Sequence, residues 1–141
     1  EAQARGVISV TDGTKGGRPR EVPLNPQDAE HAARQLAALE RAAAAQGAAR
    51  AVMPPHQNWK TWSENGLRQV RETLQQYGIS RLHDLRSAYA CERYQQLTGH
   101  AAPCLGGGAP RAADRAARQQ IAQELGHGRT GVTNSYLGAH P

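Results

Sequence analysis

Residues 125–136 read "LGHGRTGVTNSY". Leu125 closes a run in which Ala113, Ala117, Ile121 and Leu125 recur at four-residue spacing, which predicts one apolar face of a helix over about residues 111–125. Gly126 follows that pattern at once, and glycine just past a helical stripe is a stop signal. His127 stands between Gly126 and Gly128, and Tyr136 comes nine residues after it. The piece from Thr130 to Leu137 is long enough for a turn or two of helix. A histidine follows one helix end, and a tyrosine lies on the next short element.

Upstream, residues 78–94 read "GISRLHDLRSAYACERY", the first part of a helix expected over about 82–97. His83 and Arg86 are three apart at its start, so both project from one face. The positive end of the helix dipole adds to their attraction for an anion. Further back, "GVISVTDGTKGGRPREVPL" (residues 6–24) holds two β-type runs, Val7 to Thr11 and Arg20 to Leu24, around a Gly-rich turn. This reads as a hairpin with Lys15 at its tip.

Helices fill most of what lies between. In residues 25–47 Asn25 or Asp28 can cap a helix whose stripe is Ala29, Ala32, Leu36, Leu39 and Ala43. Residues 47–62 read as a loop with Pro54, Pro55, His56 and two tryptophans. A helix from about Ser63 to Tyr77 follows, with Leu67, Val70, Leu74 and Tyr77 on one face and Gly78 as its stop. The stretch "TGHAAPCLGGGAP" (98–110) is expected to be a mobile surface insertion. The fold class is therefore α+β, mainly α, with a small antiparallel hairpin at the N-terminal edge.

Composition sets the outer bounds. The chain's 141 residues suit one domain. Leu, Ile, Val and Met together number only 21, with no Phe, while alanine is abundant, which favours closely packed helices over a bulky core. The formal charge is +5, and every cation except Lys15 and Lys60 is arginine, the better bidentate partner for phosphate. That balance favours an anionic partner such as nucleic acid. Cys91 and Cys104 make no disulfide framework, and with His100 they lack the paired close spacings of structural zinc. They read as buried free thiols, and no metal or cofactor is expected. No apolar run is long enough to span a bilayer, so no membrane partner and a cytoplasmic location are expected.

A hairpin lysine, H-x-x-R, L-G-H and a tyrosine nine residues after that last histidine occur here in one order. Together they resemble the catalytic domain of the tyrosine recombinases, the phage integrase family, over roughly residues 6–138. The Arg-x-Val-Pro-Leu strand after the lysine is similar too. The resemblance implies a site-specific DNA recombinase of a prophage or mobile element. Tyr136 would be the nucleophile that forms a 3′-phosphotyrosyl link. Arg86 would clamp a non-bridging oxygen, His83 would exchange the phenol proton, His127 would hydrogen-bond the phosphate, and Lys15 would protonate the leaving 5′-oxygen. Arg18, Arg20 and Arg129 would contact the DNA backbone. The partner implied is double-stranded DNA, bound by a tetramer in the nucleoid. A type IB topoisomerase would use a similar constellation, but the compact L-G-H-x8-Y ending favours a recombinase.

The sequence also departs from the family pattern. The family carries a further arginine on a helix before the hairpin, whereas here the one upstream arginine, Arg5, sits at the first strand's edge. The DNA-clamping domain is absent too, and two strands alone are marginal in water. Residues 1–141 are therefore expected to be an N-terminally truncated catalytic domain, lacking the clamping domain and the first catalytic Arg helix, and nearly inactive as a fragment. The alternative is a non-catalytic DNA-binding remnant or regulator with the same fold.

Overall fold

A computed structural model describes residues 1–11, 14, 17–49 and 53–140. Its chain divides into two units, Glu1–Gly6 with Leu24–Leu82, and Val7–Pro23 with His83–Pro141.

The first unit opens with a one-turn helix, α1 (Ala2–Arg5), closed by Gly6 in the left-handed region. Arg5 thus lies on a helical turn and not at the strand edge, and its Nη1 donates to Glu1 Oε1 at 3.0 Å. The long helix α2 (Ala29–Gln46) begins where the sequence places it. The Asp28 carboxylate accepts from the His31 amide at 2.8 Å, and Asn25 Oδ1 accepts from the amides of Gln27 and Asp28, so both candidate caps are used. The helix expected from Ser63 to Tyr77 is two helices, α3 (Trp59–Glu64) and α4 (Gly66–Gln76). Asn58 caps α3 by accepting from the Thr61 amide, which draws both tryptophans out of the expected loop and into the helix. Asn65 leaves helical geometry at φ −115°, ψ −84° and breaks the run. Gly66 follows because a Cβ there would press on the Trp62 ring at 3.2 Å.

In the second unit β1 (Val7–Val10) and β2 (Arg20–Pro23) pair antiparallel, Val7 opposite Pro23 and Val10 opposite Arg20. β2 packs on α6 (Arg111–Glu124), the burial that a two-stranded ribbon requires. Helix α5 (Leu82–Thr98) also supplies this unit. The core is alanine-lined, as the composition suggests: Ala90, Ala102, Ala109 and Ala117 surround Tyr94, Ile121, Leu125, Tyr136 and Leu137. Small side chains let the helices approach, and the fully buried Ile121 and Leu137 each contribute about 1.5–3 kcal/mol by leaving water. The predicted stripe of α6 is the buried one.

Two buried ion pairs hold this alanine core in register. Arg93 grips Glu124 with Nε and Nη2 at 3.1–3.2 Å, and the Tyr89 hydroxyl donates to the same carboxylate at 2.7 Å. Burial, then the bond to Glu124, pushes the Tyr89 phenol well above its usual pKa. Asp114 accepts from Arg118 Nε at 2.8 Å and from the Tyr94 hydroxyl at 2.8 Å. Burial raises the Asp114 pKa, but the Arg118 and Tyr94 bonds outweigh it and leave the group below its usual value.

Residues 99–110 are not the loose surface insertion expected from three consecutive glycines. Ala102 and Ala109 are buried, and the Ala109 amide donates to the Tyr94 hydroxyl at 3.1 Å. Gly107 lies so close to Ala101 that a Cβ would collide with its carbonyl. Gly107 serves close packing.

Candidate functional site

The C-terminus of α6 creates the site. His127 donates its amide to the Ala122 carbonyl at 2.7 Å and Gly126 to the Gln123 carbonyl at 3.0 Å, while Gly126 takes φ +72°. This is a Schellman closure, in which a left-handed glycine turns the next residue off the helix. The turned residue is His127. The Leu125 carbonyl, left without a helical partner, accepts from Arg86 Nη2 at 2.6 Å. One guanidinium from α5 thus closes the end of α6.

The same guanidinium lies 3.4 Å from His127 Nε2. Arginine can only donate, so Nε2 is the acceptor and the proton sits on Nδ1. Nδ1 then donates to Thr133 Oγ1 at 3.1 Å. Thr133 is fully buried, just before the one-turn helix α7 (Asn134–Leu137), and fixes the ring's plane. Burial, followed by the charges of Arg86, His83 and Arg20, lowers the His127 pKa, in agreement with a neutral imidazole.

α7 returns Tyr136 to this point. Its ring stacks on His127 with centroids 5.4 Å apart and planes 8° from parallel. On its other contact the His83 ring sits 5.1 Å away at 36°. Two imidazoles from distant segments therefore bracket one phenol, beside one arginine. Tyr136 is only 7% exposed, whereas His83 is exposed at the surface. The Arg118 Nη1 to Asn134 Oδ1 bond, 2.8 Å, ties α7 to α6 and holds the tyrosine's helix in place.

The hairpin brings further cations to the Gly-His-Gly break. A Cβ on Gly126 would lie 2.6 Å from Arg20 Nη1, and one on Gly128 would collide with the Arg18 guanidinium. Both arginines and His127 line one cleft with Gln119, Gln120 and Gln123 of α6. Arg129 is exposed two residues beyond His127. Lys15 lies outside the described residues. Tyr136, Arg86, His83, His127, Arg18 and Arg20 are thus brought to one end of the second unit, where positive charge gathers around a phenol. The arrangement suits a phosphate group, whose oxygens accept from arginine and imidazole.

Sequence reasoning missed Thr133 and the cysteine pair. Thr133 lies in a turn with no periodicity, and only its burial against His127 exposes its part. Cys104 is exposed rather than buried, and Cys91 is partly buried. No described helix is long and apolar enough to cross a membrane. A family model described as Integrase matches residues 2–92, a span that holds His83 and Arg86 and ends before His127 and Tyr136. No curated protein and no solved structure matches the chain.

Proposed function

The chain belongs to the integrase family, and on that premise we propose a site-specific recombinase of the tyrosine type, acting on double-stranded DNA. The observation that carries the reading is the double ring contact of Tyr136 with His83 and His127, beside Arg86. Breaking a phosphodiester without metal needs a nucleophile, cations on the non-bridging oxygens and a proton for the leaving oxygen.

Tyr136 Oη attacks the scissile phosphorus, and its proton passes to His83. The P–Oη bond forms and the bond to the 5′-oxygen breaks, leaving a 3′-phosphotyrosyl link. Arg86 turns its fork from the Leu125 carbonyl onto one phosphate oxygen, and His127 donates to the phosphate from Nε2. Thr133 permits that change, because a hydroxyl accepts from Nδ1–H in one tautomer and donates to bare Nδ1 in the other. Lys15 gives the departing 5′-oxygen its proton. Attack by a second DNA 5′-hydroxyl reverses the step onto a new partner. Arg18, Arg20 and Arg129 hold flanking phosphates, and assembly as a tetramer on DNA belongs to the same reading.

A non-catalytic DNA-binding regulator is the second reading. It is favoured by Arg5, on the turn before the hairpin, being engaged by Glu1 in an ion pair on α1. The two separate on labelled DNA from the flanks of the gene, nicked next to the scissile position so that cleavage is trapped. A denaturation-resistant protein–DNA adduct that vanishes in Tyr136→Phe supports the recombinase. A folded protein that shifts the DNA but forms no adduct supports the regulator.

A further inference from the structure

Cys91 on α5 and Cys104, in a 3-10 turn at Pro103–Leu105, bring their sulfurs to 3.5 Å. Both sulfurs also reach the main-chain carbonyl of Tyr136, Cys104 at 3.3 Å and Cys91 at 3.7 Å. A one-turn helix cannot satisfy its own last carbonyls, so the thiols act as donors to the residue at the centre of the site. Gly138, just past α7, rests on the same turn, where a Cβ would lie 3.0 Å from the Cys104 amide nitrogen. The seat of α7 therefore includes two thiols and the backbone between Pro103 and Leu105. Cys104 is exposed to solvent and Cys91 partly buried, so a small reagent can reach the pair from one side.

We propose that Cys91 and Cys104 are an oxidation site, a dithiol that low-molecular-weight disulfides such as oxidised glutathione convert to an intramolecular bridge, displacing α7. The Cys104 thiolate attacks one sulfur of the small disulfide, forming a mixed disulfide and releasing one small thiolate. The Cys91 thiolate then attacks Cys104 Sγ, the Cys91–Cys104 bond forms, and the second small thiolate leaves. The protons lost by the two cysteines end on the two released thiols; the cysteines are oxidised and the reagent reduced by two electrons. Burial, with the bond to Cys104, pushes the Cys91 thiol up to about 11, so first attack falls to the exposed partner.

The bridge changes the seat. The sulfurs must close from 3.5 Å to a bond of roughly 2.05 Å, and both S–H donors to the Tyr136 carbonyl disappear. A slower strand cleavage on oxidation rests on the tyrosine reading above; the bridge and the loosening of α7 do not.

The test uses the full chain, reduced and then incubated with oxidised glutathione, with remaining thiols blocked by N-ethylmaleimide. Peptide mapping is expected to show residues 91 and 104 bridged within one molecule, reversed by dithiothreitol. Amide exchange across 134–138 is expected to quicken at least tenfold in the bridged form. Cys104→Ser keeps a hydroxyl donor for the Tyr136 carbonyl and is expected to leave that exchange unchanged under the same treatment. Two maleimide-labelled cysteines, a bridge only between molecules, or a bridge that leaves exchange unchanged would overturn the proposal. Adduct formation, read in parallel, is expected to fall tenfold on oxidation and recover on reduction. A reduced protein that forms no adduct counts against the tyrosine reading, while mapping and exchange still decide the oxidation site.

Discussion

The ring of His127 lies parallel to that of Tyr136, 8° apart in plane and 5.4 Å between centroids, and the hydroxyl of Thr133 sets that plane by accepting from Nδ1–H at 3.1 Å. Parallel stacking leaves the imidazole edge, Nε2, pointing past the phenol toward Arg86. The pose depends on a residue that touches no substrate in the proposed reaction.

Thr133→Val keeps the shape of a fully buried side chain and deletes the hydroxyl. Adduct formation on nicked DNA is expected to fall by about tenfold, the order seen when a partner orienting a histidine is removed. Thr133→Ser restores a hydroxyl and is expected to restore most of the rate. Equal losses in both variants would mean that packing, not the hydrogen bond, is what Thr133 provides.

Gly126 holds φ +72°, where a β-carbon costs an L residue about 1–2 kcal/mol. The new methyl would also press on Arg20. Gly126→Ala is expected to lower unfolding free energy by at least that amount in urea titration. The one-residue turn of His127 off α6 depends on this glycine, so adduct formation is expected to fall as well. A variant as stable as the parent would show that Gly126 does not enforce the closure.

Burial, then the surrounding positive charges, depresses the folded pKa of His127 below its model-peptide value of 6.5. Folding is therefore linked to keeping the ring neutral. Its stabilising contribution is complete above pH 6.5, shrinks as the pH falls below that value, and is gone below the depressed folded pKa. His127→Gln removes the titration. Subtracting its urea midpoints from those of the parent between about pH 8 and about pH 5 should isolate the loss. Parallel curves for the two proteins would exclude a depressed His127.

Arg18 and Arg20 flank the Gly-His-Gly break and are proposed to meet phosphates. Each alanine substitution should weaken DNA binding at low salt and reduce the slope of log affinity against log salt by about one. Arg34, exposed on α2 and paired to Glu30, serves as the control and should leave the slope unchanged. An unaltered slope in Arg18→Ala and Arg20→Ala would place the DNA elsewhere.

Local signals in the chain determined most of the fold and made the residues of the candidate site legible. The four-residue stripe of α6, the left-handed glycine after it and the two β-type runs are short-range devices, and each forms where the spacing puts it. The limits appear where a local rule has two outcomes. The single helix expected at 63–77 broke at Asn65 because Asn58 offered an earlier cap and Trp62 needed a glycine beneath it. Likewise, Gly106, Gly107 and Gly108 read as slack in the sequence, but Gly107 is there because Ala101 leaves no room for a side chain. Only the tertiary structure decided how the site is held. Thr133 under His127, Arg86 on the end of α6 and two thiols under Tyr136 join residues from 6 to 45 positions apart. Such contacts arise when α5, α6 and α7 close on an alanine core, and no local spacing encodes which side chains then meet.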